Sequence, residues 1–180
     1  MIYLHVNGVN RKQKQEFAPV GGVNRKIREE WAPVDGVNRK VFSGYEITEY
    51  FNADDFGGLV WNENSGTQLY TAFEGNGSGE AGWEIADLEE GDVVTLNNHW
   101  TIYARQGESY GYYRVISVDG SGKTSQIYSD DGTAGAAERN YTMPKNGTMR
   151  ILLGASGAPT SANTELYITG IKVNGGQIYP

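Results

Sequence analysis

The sequence predicts an all-β protein, with N-terminal β-hairpin repeats over residues 1–44 and a jelly-roll-like β-sandwich over residues 45–180. Three observations carry this. Residues 6–47 repeat nearly the same text every 14 positions. From Tyr45 onward the chain reads as short runs of alternating apolar and polar residues, cut by Gly, Asp and Asn, with no stretch of helical period. The composition, 25 Gly and 12 Tyr against no Cys, suits strands and tight turns. It also excludes a disulfide framework, a thiolate metal site and a cysteine nucleophile.

The repeats come first in the chain. Val6–Pro19, Val20–Pro33 and Val34–Ile47 align one under another, and the aromatics Tyr3, Phe17, Trp31 and Tyr45 stand in step with them. Asn7-Gly8, Gly21-Gly22 and Asp35-Gly36 can hold positive φ at both central positions of a primed two-residue hairpin turn. Arms are therefore expected near residues 2–6, 9–13, 16–20, 23–27, 30–34 and 37–41, each about 17 Å long at ~3.4 Å per residue. Pro19 and Pro33 each remove a ladder donor, so the ribbon either breaks into separate hairpins or has its edges paired by other copies of the chain. A unit this short buries little apolar area and needs neighbours. That favours an attachment element in a homo-oligomer; the alternative is a three-hairpin sheet lying on the C-terminal domain.

The copies VNGVNRK, VGGVNRK and VDGVNRK resemble the short Val-x-Gly-Val-Ala-Arg-Lys hairpin repeats of tail-associated proteins in prophages of Gram-positive bacteria, with Asn10, Asn24 and Asn38 where the pattern has alanine. The resemblance covers residues 1–44. It implies a virion or prophage tail component, on the host-recognition side, with other tail subunits as partners and no enzymatic residues.

In the second part, the expected strands are YEITEYF, QLYTAFE, GWEIA, DVVTLN, HWTIYARQ, YGYYRVISV, TSQIY, NYTM, TMRILL and ELYITGIKV. Ten short strands fit two packed antiparallel sheets. The stretches GWEIADLEEGDVVTL and YTMPKNGTMRILL are similar to strand-turn-strand units of carbohydrate-binding β-sandwiches. Alternation puts Trp100, Ile102 and Ala104 in the core and throws His99, Thr101, Tyr103 and Arg105 outward. Leu69 and Phe73 are expected inside and Tyr70 outside. In the next strand Tyr110, Tyr112, Arg114, Ile116 and Val118 share one side against Gly111, Tyr113, Val115 and Ser117. An outward face with Tyr103, Arg105 and His99, joined by Tyr110 or Tyr112, could stack on a sugar ring and hydrogen-bond its hydroxyls. The competing reading makes these aromatics a subunit contact or ordinary cross-strand pairs.

Other motifs carry less. Gly122-Lys123-Thr124 lacks the upstream glycine and the following helix of a phosphate loop and reads as a hairpin tip. Asp119-Gly120-Ser121-Gly122 and Asp130-Asp131 supply carboxylates that could hold structural calcium, without the spacing of a calcium loop. No other cofactor is implied. His5 and His99 have no metal-ligand spacing between them. Glu84, Asp87, Glu89, Glu90 and Asp92 read as a solvated acidic connector, and nothing pairs two of them as the acid and base of a glycosidase. The expected function is thus non-enzymatic: a phage or prophage tail-associated protein recognising cell-surface carbohydrate or another host receptor, with a bacterial glycan-binding adhesin or carbohydrate-binding module as the alternative.

Charge is unevenly spread. Residues 1–42 hold eight Lys/Arg against four Asp/Glu, a balance of +4, while 43–180 hold seven against eighteen, a balance of −11, giving the net −7. The basic part lacks the excess and the interleaved aromatics of a nucleic-acid reader. No secretory signal and no apolar run of membrane length is visible, which implies synthesis in the cytoplasm and a place in the virion, or outside the cell after release.

Overall fold

The computed structural model describes residues 45–54, 57–75, 77–102, 110–131, 134–156 and 164–179 with their side chains, and the backbone of six N-terminal strands between residues 3 and 43. The chain divides into two compact units, Met1–Glu46 and Ile47–Pro180.

The first unit is three separate antiparallel hairpins: β1 (Tyr3–Val6) with β2 (Val9–Lys12), β3 (Glu16–Val20) with β4 (Val23–Ile27), and β5 (Glu29–Val34) with β6 (Val37–Ser43). Each closes on a valine pair, Val6↔Val9, Val20↔Val23 and Val34↔Val37, which is the register a two-residue turn enforces. The turn dipeptides themselves lie outside the described residues. Within the chain the described strands pair two by two and form no continuous ribbon. Pro19 sits opposite Asn24 and Pro33 opposite Asn38 in sheets of only two strands, where a residue without an N–H need serve no second neighbour.

The second unit is a sandwich. Its strands are β7 (Ile47–Asn52), β8 (Leu59–Asn64), β9 (Leu69–Glu74), β10 (Gly79–Leu88), β11 (Val93–Thr101), β12 (Tyr110–Asp119), β13 (Thr124–Asp130), β14 (Ala134–Thr142), β15 (Gly147–Ser156), β16 (Thr164–Val173) and β17 (Gly176–Tyr179). One sheet has the order β13-β12-β15-β10-β7; the other runs β14-β11-β16-β9-β8, with β17 added beside β16. All pairings are antiparallel. The chain passes repeatedly from one sheet to the other, as in a jelly roll. Among the described residues there is no helix, hence none long and apolar enough to cross a membrane.

Alternate residues of both sheets meet in the core: Ala81, Trp83, Ile85, Tyr113, Val115, Met149, Ile151 and Leu153 from one, Leu69, Phe73, Leu96, Trp100, Leu166 and Ile168 from the other. Trp100 stacks on Tyr113 across the interface, with centroids 4.7 Å apart. DVVTLN and HWTIYARQ, read from sequence as two strands, are the single strand β11 as far as Thr101. Asn97-Asn98 does not end it, because the shift is absorbed by a bulge against β16, and Asn98 is buried. The acidic connector is less solvated than its composition suggests. Asp92 is buried and accepts from the Glu89 amide (2.8 Å) and from Asn174 Nδ2 (2.8 Å), while Glu84 pairs with Arg150 (2.5 Å). Gly122-Lys123-Thr124 is part of the β12–β13 hairpin tip, where Asp119 Oδ1 accepts from Ser121 and Lys123 amides. The Ser121 hydroxyl, which donates to the same oxygen at 2.6 Å, and then these amides favour the charged carboxylate and hold its pKa below the usual range.

Candidate ligand cleft over the first sheet

Parity places Tyr110, Tyr112 and Arg114 on the outer face of β12, because Tyr113 and Val115 fill the core. Register then sets what each faces. Tyr112 lies opposite Gly154 on β15, and Gly154 lies opposite Glu80 on β10. Any side chain at 154 would stand where the Tyr112 ring is, since a Cβ built there collides with its far edge. The ring therefore lies across the sheet over Gly154, and its hydroxyl donates to Glu80 Oε1 on the strand beyond, at 2.9 Å. Glu80, only 8% exposed, is also the ion-pair partner of Arg114. Burial, reinforced by the neighbouring Glu80 carboxylate, pushes the Tyr112 hydroxyl well above the ordinary tyrosine range, so it stays a donor at neutral pH.

Around this ring is an open cleft of about 880 Å³. Tyr110 stands beside Tyr112 with centroids 5.8 Å apart and planes tilted by 43°, so the two rings form an angled floor. Asn52, Ser78, Gln126 and Ser129 bring amides and hydroxyls to the walls, and Asp54 and Asp131 bring carboxylates. Further along the same face, Leu152 is wholly buried although it points outward, so the longer side chains about it close over it. Arg150 spans the Tyr50 ring at 4.3 Å while its Nε binds Glu84. An apolar ring floor with polar groups converging on it is the usual form of a small-ligand site.

The other candidate residues go elsewhere. His99 is exposed on the outer face of the second sheet, stacked on Tyr167 at 4.4 Å and 10°. The row continues through Tyr70, 4.6 Å from Tyr167, to Trp61, 6.1 Å from Tyr70. Tyr70 donates to Glu165 at 2.8 Å. These rings face one another along the row, as cross-strand pairs do. The fold thus brings Tyr110 and Tyr112 together and puts His99 on the opposite side of the sandwich; Tyr103 and Arg105 lie outside the described residues. Gly154 and Glu80 escaped the sequence reading, although a glycine inside the apolar run MRILLGAS is itself the signal of a close approach. Among the described residues no three His, Asp or Glu side chains come together as metal donors.

Fold and cleft together describe a β-sandwich with a ring-floored surface site. No protein-family model and no curated protein matches the chain. Among solved structures it is similar to a carbohydrate-binding module of the β-sandwich superfamily (TM-score 0.40, 11% identity, covering 84% of this chain and 66% of that one). It is also similar to the enzymatically active domain of bacteriophage CBA120 tailspike protein 4 (TM-score 0.40, 15% identity, 74% of this chain and 19% of that one). A third likeness is to CBM28, a carbohydrate-binding module specific for non-crystalline cellulose (TM-score 0.30, 11% identity, 95% and 91%). The chain thus spans 66% and 19% of the first two proteins' lengths.

Proposed function

We propose that the chain is a non-enzymatic glycan-recognition protein of a phage or prophage tail, whose sandwich holds a sugar in the cleft over Tyr112 and whose hairpin repeats attach it to other tail subunits. The observation that carries the binding role is the Tyr112 ring lying across Gly154, tied down at its hydroxyl by Glu80. A ring fixed in place by its hydroxyl offers a sugar a contact surface at little entropic cost, and the residues lining the cleft supply donors and acceptors for hydroxyls. Glu80, the most buried acid of the cleft, is committed to Arg114 and Tyr112, which suits it to bracing the floor rather than to proton transfer. The tail assignment rests on the VxGVNRK repeats. A glycan array read over a concentration series tests the binding role: the full chain is expected to bind one class of glycan and Tyr112→Ala to bind it several-fold more weakly while keeping its circular dichroism spectrum. An array on which both proteins behave alike overturns it.

A further inference from the structure

We infer that the cleft over Tyr112 prefers sugars bearing a protonated amine over their uncharged counterparts and rejects anionic sugars. This rests on the glycan reading of the cleft and narrows it to a ligand class.

Four charged residues line the cleft among those described: Asp54, Glu80, Arg114 and Asp131. Arg114 is the cation that would receive a ligand carboxylate, but it is already paired with Glu80, and its Nε is buried within the protein. Glu80 is in turn occupied by Arg114 and by the Tyr112 hydroxyl. Cancelling that pair leaves Asp54 and Asp131. Both are exposed, and neither makes an ion pair with a described residue. They stand in a part of the chain whose balance over residues 43–180 is −11. A cleft lined by one sign of uncompensated charge concentrates ions of the other sign. A uronate or sialate entering it meets repulsion and an engaged guanidinium, whereas an ammonium meets two open acceptors. An uncharged sugar keeps the ring contact and the hydroxyl partners and loses only the charge term.

Calorimetry on the full chain with three oligosaccharides of equal length, built from glucosamine, N-acetylglucosamine or galacturonic acid, separates these cases. At low salt and mildly acidic pH the glucosamine oligomer should bind about 5-fold tighter than its acetylated form, as one water-screened charge contact at close range gives. The galacturonic oligomer should give no measurable heat. The preference should fade toward one at ~1 M salt, where the screening length falls to ~3 Å. Replacing both carboxylates, Asp54→Asn with Asp131→Asn, should likewise bring the amine-to-acetyl affinity ratio close to one. Equal or tighter binding of the uronate, or a ratio unchanged in the double variant, overturns the inference. Failure of all three sugars to bind overturns it too, and the separate array comparison with Tyr112→Ala then shows whether the glycan reading survives.

Discussion

Gly154 and Tyr112 form a couple in which one residue's lack of a side chain sets the posture of the other. Gly154→Ala introduces a methyl group where the ring lies, so the ring must swing off the sheet. Since Tyr112→Ala removes an aromatic contact, its expected cost is roughly 2–12-fold in ligand affinity, and Gly154→Ala should approach that loss with Tyr112 still present. Titration of both variants against the same ligand checks this; full affinity in Gly154→Ala would show that ring posture does not matter. The core behaves differently. Trp100 is 2% exposed and packed on Tyr113, so Trp100→Ala should cost about 3–5 kcal/mol of stability in denaturant unfolding. His99, by contrast, is exposed and loses only its stacking on Tyr167, so His99→Ala should cost no more than about 1 kcal/mol.

At the scale of elements, alternation along a strand was readable and membership of a sheet was not. The pattern of HWTI puts Trp100 and Ile102 inside and His99 and Thr101 outside, as the burial of β11 has it, and QLYTAFE gives Leu69 and Phe73 inside with Tyr70 half-exposed. What periodicity cannot say is that β11 and β12, neighbours in sequence, belong to opposite sheets. Their outward faces therefore point away from each other, and an outward histidine and an outward tyrosine only ten-odd positions apart never share a surface. The cleft is equally non-local: it is floored by residues of β12, β15 and β10, which only sheet formation makes neighbours. In the hairpins the dominant physics is local, a turn dipeptide between valines, and there the arms lie within one or two residues of those read from the sequence. The sandwich has its own core, so a fragment of residues 45–180 should give a cooperative thermal transition by circular dichroism. A fragment that stays unfolded would place essential contacts in the repeats.

At the scale of the whole molecule, six tyrosines among the described residues respond to pH together. Burial raises the pKa of Tyr70, Tyr112, Tyr113, Tyr128, Tyr141 and Tyr179 above the ordinary 10.0. A group with a raised folded pKa binds its proton more tightly when folded. Its contribution is complete below the unfolded pKa and is lost as pH rises through the folded one. Denaturant midpoints should hence hold steady to about pH 9 and fall steeply above about pH 10. A flat profile across that range would mean that these hydroxyls are not held neutral by the fold. The attachment role proposed for the repeats also predicts association of the full chain, with a trimer expected. Light scattering that returns a clean monomer mass at micromolar concentration would count against it.

The cleft's dependence on three strands from distant parts of the sequence has a calorimetric consequence. Tyr112, Gly154 and Glu80 are brought into line only when the sheet is complete, so a ligand of this site has nothing to hold in the unfolded chain. Any sugar that occupies it must then raise the melting temperature, by about 2.7 kcal/mol of added stability at a hundred times its dissociation constant. For a chain of this size that corresponds to several degrees. A melting screen over a sugar library can accordingly find the ligand before its chemistry is known, and the same screen on Tyr112→Ala marks which of the shifts arise at this cleft.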